Sequence, residues 1–171
     1  MSTDLDNFAG LSSALTGIPQ SFIAPQVDPV GLPTQFLAFV GPRITTSVLQ
    51  GLLTQYATLA ADKVPPDQIA QAILMNGTQP ATTQAAQAAR AIMKLWLLGV
   101  WYQPYDVDKV AKTGDQTVVS DQAYTNSWAW KIAQAHPMGY SEFFFGYWNS
   151  EPPSLEDFTG VPASGQQGAS S

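Results

Sequence analysis

A block of aromatic residues between positions 124 and 148 constrains this chain more than any other feature. It holds nine of the nineteen Phe, Trp and Tyr residues of the sequence. Each such ring buries about 150–250 Å² when it is enclosed. A block of this size therefore belongs either in a core or on a face that binds another molecule. We expect the rest of the chain either to cover the block or to present it to a partner.

The composition excludes several kinds of chemistry. The 171-residue chain has no cysteine and a single histidine, which removes disulfides, thiolate nucleophiles, Cys-ligated metals and multi-histidine metal sites within one chain. Seven Lys and Arg against thirteen Asp and Glu give a net charge of −6. Nucleic-acid binding needs clustered basic residues. We therefore expect neither a metal site nor a nucleic-acid partner.

The ends and the apolar runs bear on location. The longest apolar run, AIMKLWLLGVWY, contains Lys94 and is too short to span a bilayer, so we predict no direct membrane insertion. The opening MSTDLDNFAG is acidic and lacks the basic and apolar regions of an export signal. The protein is therefore expected either to stay where it is made or to have lost a leader.

Helical spacing of apolar residues, interrupted by Pro and Gly, predicts an all-α fold. Residues 1–148 are expected to form one helical domain of about four to six helices with proline-rich connectors, and residues 149–171 an extended or disordered tail that is ordered only where it packs on a partner. After Pro19 we expect an extended connector punctuated by Pro25, Pro29 and Pro33, with one helical turn near 34–40. The helices are predicted at about 3–15, 42–61, 66–75, 82–102 and 121–135, with a short strand at 117–119.

No group of residues in the sequence indicates catalysis. The glycine fingerprints of nucleotide binding and the G-x-S-x-G hydrolase elbow are both absent. Asp106 and Asp108 form an Asp-x-Asp pair, which is more typical of a solvated turn than of acid–base chemistry. His136 precedes Pro137 and is better interpreted as a helix-terminal imidazole than as a general base. A nucleophile, a base and an oxyanion site are not found together.

Three stretches carry more information than composition. LDNFAGLSSALTG (5–17) resembles the F-x-x-L-S-x-x-L-T-G opening of the small subunits of membrane-bound FAD-dependent sugar and polyol dehydrogenases. IMKLWLLGVWY (92–102) is similar to their L-W-Y-x-G helix, with Leu97 where Tyr is frequent. YTNSWAW (124–130), His136-Pro137 and GYWNSEPP (146–153) resemble their closing block, which ends in G-Y/F-W-x-x-x-P. Together the stretches follow the family's order and span the chain from residue 5 to residue 153.

The resemblance implies a non-catalytic subunit of a larger enzyme. The family comprises the small subunits of sorbitol, fructose and glucose dehydrogenases and the third subunit of gluconate 2-dehydrogenase. In these complexes a large FAD-containing flavoprotein of the glucose–methanol–choline type oxidises the sugar, and a multihaem cytochrome c passes electrons to the quinone pool. The small subunit carries no cofactor. It supports folding of the flavoprotein and its twin-arginine export to the periplasm, where the complex is attached to the inner membrane through partner subunits.

The resemblance and the aromatic block lead to the same candidate residues. We expect no catalytic, cofactor-binding or metal-binding residue in this chain, and an aromatic interface with the flavoprotein. Three consecutive Phe residues cannot all point inward, whether on a helix or on a strand, so at least one is expected at the interface. The candidates are Trp128, Trp130, Phe143, Phe144, Phe145, Tyr147 and Trp148.

Two alternatives from other classes stay open. A stand-alone helical protein would bind a small apolar ligand in an aromatic-lined cavity with Trp96 and Trp101 in its wall, although an aromatic stripe at helical spacing is more often core. A hydrolase would bring His136 together with Asp106 or Asp121 in one cleft. An enclosed apolar cavity would favour the ligand-binding protein, whereas an exposed aromatic patch would favour the subunit.

Overall fold

The computed structural model describes residues 3–104 and 116–139, and in these ranges it is mostly helical with two small two-stranded sheets. The all-α prediction is therefore confirmed. No helix in these two ranges is long and apolar enough to cross a membrane. The elements belong to one compact unit, residues 1–137. They are α1 (Thr3–Thr16), α2 (Gln20–Ile23), α3 (Leu32–Val40), α4 (Thr46–Ala61), α5 (Pro66–Leu74), β1 (Met75–Asn76), β2 (Gln79–Pro80), α6 (Gln84–Leu98), β3 (Val100–Tyr102), β4 (Gln116–Val118), α7 (Asp121–Thr125) and α8 (Trp128–Ala133).

Helix α1 lies at the centre of the core. It contacts α2, α3, α4, α5 and α6, and it buries Phe8, Leu11 and Leu15, as the apolar spacing predicts. A Cβ added at Gly10 would overlap the hydroxyl of Tyr56 on α4. The absence of a side chain at this position therefore lets α1 and α4 lie close together.

Helix α6 forms a second wall of the core. Its first turn is capped by Thr83, whose Oγ1 accepts a hydrogen bond from the Ala86 amide at 3.2 Å. Small buried alanines in its first turns allow neighbouring helices to approach, and larger residues follow. Near its end the ring of Trp96 meets Phe36 of α3 edge to face, with centroids 4.7 Å apart. The buried residues of α6 are Ala86, Ala88, Ala89, Ala91, Ile92, Leu95 and Trp96.

The segment after α1 is more helical than predicted. Helix α3 has nine residues instead of one turn, because Pro33 lies in its first turn, where the missing N–H would be unpaired anyway. The carboxylate of Asp28 holds the backbone just before α3 by accepting hydrogen bonds from the amides of Val30 (3.2 Å) and Gly31 (2.7 Å). Helix α4 begins at Thr46, later than predicted, since the preceding residues form a turn.

A β-hairpin follows α5, where the sequence predicted only a helix end at Asn76 and Gly77. Met75 lies opposite Pro80 and Asn76 opposite Gln79, with Gly77 at φ +63° in the turn. Arg90 of α6 donates hydrogen bonds to two backbone carbonyls at 2.8 Å, those of Leu74 and Ala81. These carbonyls flank the hairpin, so one guanidinium fork fastens both of its ends to α6.

The last two predicted helices are shorter than expected. Helix α6 ends at Leu98 instead of Tyr102, because Gly99 takes the left-handed conformation at φ +67°. Strand β3 follows it and pairs antiparallel with β4, close to the predicted strand at 117–119. The single helix predicted over 121–135 is broken at Asn126 and Ser127 into α7 and α8. The Asn126 side chain ends α7 by donating to the Gln122 carbonyl at 3.0 Å.

Candidate partner-binding surface

A close approach between the end of α6 and α7 fixes the position of α7 and of α8, which follows it. A Cβ added at Gly99 would come within 2.5 Å of the carbonyl oxygen of Ala123. The hydroxyl of Ser120 accepts a hydrogen bond from the Ala123 amide at 3.0 Å and donates to Oε1 of Gln35 on α3 at 3.3 Å. Helix α7 is therefore held against both α6 and α3, and α8 follows directly after it.

A pair of aromatic rings joins α8 to α2. Phe22 and Trp128 meet edge to face, with centroids 6.1 Å apart and planes at 83°. The ammonium group of Lys131 lies 4.6 Å from the centroid of the Trp128 ring, which is a cation–π contact. Trp128 is half-buried and packs against the core, whereas Phe22 is 63% exposed. The pair thus fixes an exposed phenyl ring in place.

Helix α8 is apolar in sequence and yet contains no fully buried residue. Its sequence is WAWKIA. Ile132 is 68% exposed, and Trp130 is half-buried with its ring edge to face against Tyr124 at 5.5 Å. The exposed Val27 follows α2 in the connector. We call Phe22, Trp128, Lys131 and Ile132 the α2–α8 surface.

A cavity of about 150 Å³ lies beside the ring pair. Three of its lining side chains are aromatic, two are prolines and one is a lysine: Phe22, Trp96, Trp128, Pro25, Pro29 and Lys131. Trp96 is only 2% exposed, and its indole Nε1 has no hydrogen-bond partner. The cavity is therefore bounded by rings and includes a residue whose N–H donor is unused.

Three polar side chains also line the cavity: Asp28, Asn126 and Lys131. Oδ1 of Asp28 accepts from two backbone amides, and the side-chain amide of Asn126 donates to the Gln122 carbonyl. Lys131 lies over the Trp128 ring.

The predicted interface residues fall into two groups. Trp128 and Trp130 lie on α8, half-buried, where the aromatic block was expected to meet a partner. The other predicted interface residues and the Asp-x-Asp pair lie outside the described residues, so these predictions stay predictions. They are Phe143, Phe144, Phe145, Tyr147, Trp148, Asp106 and Asp108.

The residues of the two alternative sites lie in different surroundings. Trp101 is 2% exposed, packs edge to face on Phe39 with centroids 6.3 Å apart, and donates from its indole N–H to Gln103 Oε1 at 3.0 Å. It is a core residue, as the helical spacing favoured. His136 is exposed after α8, and Asp121 is exposed in the first turn of α7.

Sequence reasoning missed the contribution of α2. Phe22 was placed in an extended connector, because four residues are too few to show helical periodicity. A usable signal was present in Pro19, which precedes Gln20–Ile23 and occupies the N-cap position. Proline is common at the start of a helix. The segment contains several prolines, however, and the sequence does not show which of them begins a helix.

Neither metal chemistry nor known relatives add to this picture. Residues 3–104 and 116–139 contain no group of three or more His, Cys, Asp or Glu side chains that could hold a metal ion. Comparisons with protein families, with curated proteins and with solved structures found no match.

Proposed function

We propose that this chain is a non-catalytic small subunit of an FAD-dependent sugar or polyol dehydrogenase, and that its α2–α8 surface binds the large flavoprotein subunit of the glucose–methanol–choline type. The observation that carries this proposal is the exposure of α8 and Phe22. WAWKIA contains no fully buried residue, and Phe22 is 63% exposed although its ring is held by Trp128. Exposed apolar residues grouped in this way are typical of protein interfaces.

The resemblance in three stretches of the sequence names the partner and the role. In the proposed complex the flavoprotein holds FAD, a multihaem cytochrome c holds haem, and this chain stabilises the flavoprotein and assists its folding and twin-arginine export. The complex would then act in the periplasm, at the inner membrane. The chain contributes packing surface to it and no chemical group to the reaction.

A stand-alone ligand-binding protein remains the second candidate. The cavity beside Trp96 supports it, but a volume of about 150 Å³ lies below the range of about 300–1,000 Å³ typical of pockets for drug-sized ligands. Two larger hollows, of about 580 and 360 Å³, are lined mainly by Gln, Thr and Ala side chains and include no aromatic ring. The exposed surface is therefore the better-supported site.

Co-expression with a flavoprotein tests the proposal. The chain and an FAD-dependent dehydrogenase of the glucose–methanol–choline type from the same genome are produced together and separately, and soluble FAD-loaded activity is measured with an artificial electron acceptor. We expect the two proteins to co-purify and the activity to fall when the small chain is omitted. Equal solubility and activity of the flavoprotein alone, with no co-purification, would contradict the proposal.

Charge substitutions test whether the flavoprotein binds at the α2–α8 surface. Phe22→Glu and Ile132→Glu should each weaken co-purification, because a carboxylate would be desolvated in the interface without a partner. Val118→Glu is the matched control, since Val118 is also exposed (51%) and apolar but lies on β4. Thermal unfolding of each variant alone verifies that the fold is intact. If all three variants co-purify as the unaltered chain does, the partner binds elsewhere.

A further inference from the structure

We propose that Asn76 is a site of spontaneous deamidation, at which the side-chain amide is converted into aspartate or isoaspartate. The residue ends strand β1 of the hairpin and is followed by Gly77 in the turn. The modification needs water and no enzyme. It is a property of this chain alone and does not depend on the proposed function.

The reaction is an attack by the backbone nitrogen of Gly77 on the side-chain carbonyl carbon of Asn76. The new N–Cγ bond closes a succinimide ring, the Cγ–Nδ2 bond breaks, and ammonia leaves with the proton of the Gly77 amide. Water then opens the ring, giving aspartate by attack at the Cγ carbonyl and isoaspartate by attack at the backbone carbonyl. Either product replaces a neutral amide with a carboxylate, which adds one negative charge to the net charge of −6.

The hairpin leaves both reacting groups of this pair free. Asn76 and Gly77 are exposed, and within residues 3–104 and 116–139 neither the Asn76 side chain nor the Gly77 amide makes a hydrogen bond. Gly77 has no side chain to hinder the attack, and the space around it is open, with no atom within 4 Å of an added Cβ. The two strands have two residues each, so rotation of Asn76 into the reactive geometry breaks few contacts.

The other two asparagines in the described ranges are protected by the fold. The side chain of Asn126 donates a hydrogen bond to the backbone of α7 at 3.0 Å. Ser127, which follows it, is 2% exposed, and its N–H donates to the Tyr124 carbonyl at 3.2 Å. Asn7 lies within α1 and is followed by the completely buried Phe8. Reaction at either asparagine therefore requires local unfolding.

Mass spectrometry of tryptic peptides tests the proposal on the full chain. The protein is kept folded in a mildly alkaline buffer, and the deamidated fraction at each asparagine is followed with time. Asn76 should convert at least about tenfold faster than Asn126, because only the reaction at Asn126 requires local unfolding. Isoaspartate among the products marks the succinimide route. A smaller ratio of the two rates, or aspartate as the sole product at Asn76, would overturn the proposal.

A sample unfolded in urea separates the effect of the fold from that of the sequence. Unfolding exposes both sites, so the rate at Asn126 should rise severalfold. The rate at Asn76 should change by less than about twofold, because the hairpin turn is already accessible in the folded chain. If the rate at Asn76 rises as much as the rate at Asn126, the hairpin protects Asn76 and the proposal is wrong.

Two glutamine variants assign the charge change to one residue. Glutamine is one methylene longer than asparagine and does not close the succinimide ring. On ion exchange, the acidic species formed by the unaltered chain should be reduced in Asn76→Gln and should persist in Asn126→Gln, the matched control. Thermal unfolding verifies that both variants are folded. Equal accumulation of the acidic species in the two variants would place the modification elsewhere and overturn the proposal.

Discussion

The α1–α6 core and the α2–α8 surface use large apolar residues in opposite ways. Along α6 the large residues Ile92, Leu95 and Trp96 are buried, and the helix packs against α1, α4 and α5. Burial of one large side chain stabilises a fold by about 1.5–3 kcal/mol. Along α8 none is fully buried. The same kind of surface thus stabilises the isolated chain in one region and remains available to a partner in the other. Large apolar residues therefore have different roles in the two regions, according to what covers them.

Two phenylalanines provide the most direct test of this contrast. Phe8 is completely buried in α1, and Phe22 is 63% exposed in α2. Phe8→Ala should lower the free energy of unfolding by about 3–5 kcal/mol, because it removes core contacts and leaves a cavity. Phe22→Ala should lower it by less than about 1 kcal/mol. Urea unfolding of the two variants measures both values. Similar losses would mean that the Phe22 ring is part of the core.

The sequence predicted the core well because periodicity reports burial. Leu11, Leu15, Ile92 and Leu95 recur at helical spacing and are buried. The hairpin at Gly77 was missed, because its strands have two residues each and show no alternation.

The surface was predicted only in part. The aromatic composition indicated a binding role for Trp128 and Trp130, and both lie on the half-exposed α8. The partner ring of Trp128 is Phe22, more than a hundred positions earlier in the chain. No local pattern encodes that contact. The contact between Phe22 and Trp128 depends on Gly99, whose lack of a side chain allows α7 to approach α6. The sequence does not show this approach.

Gly99 provides the second test, because it joins the core to the surface. Alanine at a left-handed position costs about 1–2 kcal/mol, and at Gly99 the added Cβ would also meet backbone atoms of Ala123 and Tyr124. Gly17 has a similar φ of +73° with no atom within 4 Å of an added Cβ. Gly99→Ala should therefore cost at least about 1 kcal/mol more than Gly17→Ala, through overpacking. Chemical denaturation measures the difference, and equal losses would show that α7 moves away without cost.

Two serines sharpen the comparison at a smaller scale. Ser120 caps α7 beside the surface, and Ser120→Ala should cost about 0.5–2 kcal/mol. Ser12 lies in the core with its hydroxyl buried and unpartnered. Ser12→Ala should leave stability unchanged or raise it by up to about 1 kcal/mol, because an unsatisfied polar group is removed. A loss on Ser12→Ala as large as that on Ser120→Ala would indicate that the Ser12 hydroxyl has a partner in solution.

The smallest expected effect is on the pH dependence of the free energy of unfolding, and it arises from a tyrosine on α4. Burial raises the pKa of the Tyr56 phenol above 10.0, on the helix that packs against Gly10 of α1. As the pH rises through 10, the phenol of the unfolded chain loses its proton while that of the folded chain keeps it. The unfolded state then binds fewer protons, so the free energy of unfolding falls with rising pH until the folded phenol also ionises. Below about pH 9 both states are protonated and Tyr56 adds no pH dependence.

Tyr56→Phe removes this ionisation and isolates its contribution from the other tyrosines. Between about pH 9 and 11 the variant should lose less stability than the unaltered chain, as measured by urea unfolding at each pH. Phe22→Ala is the control on the surface side, since neither residue ionises, and its pH profile should run parallel to that of the unaltered chain. Parallel profiles for all three proteins would show that Tyr56 is hydrated in solution. The contact between α1 and α4 at Gly10 would then admit water.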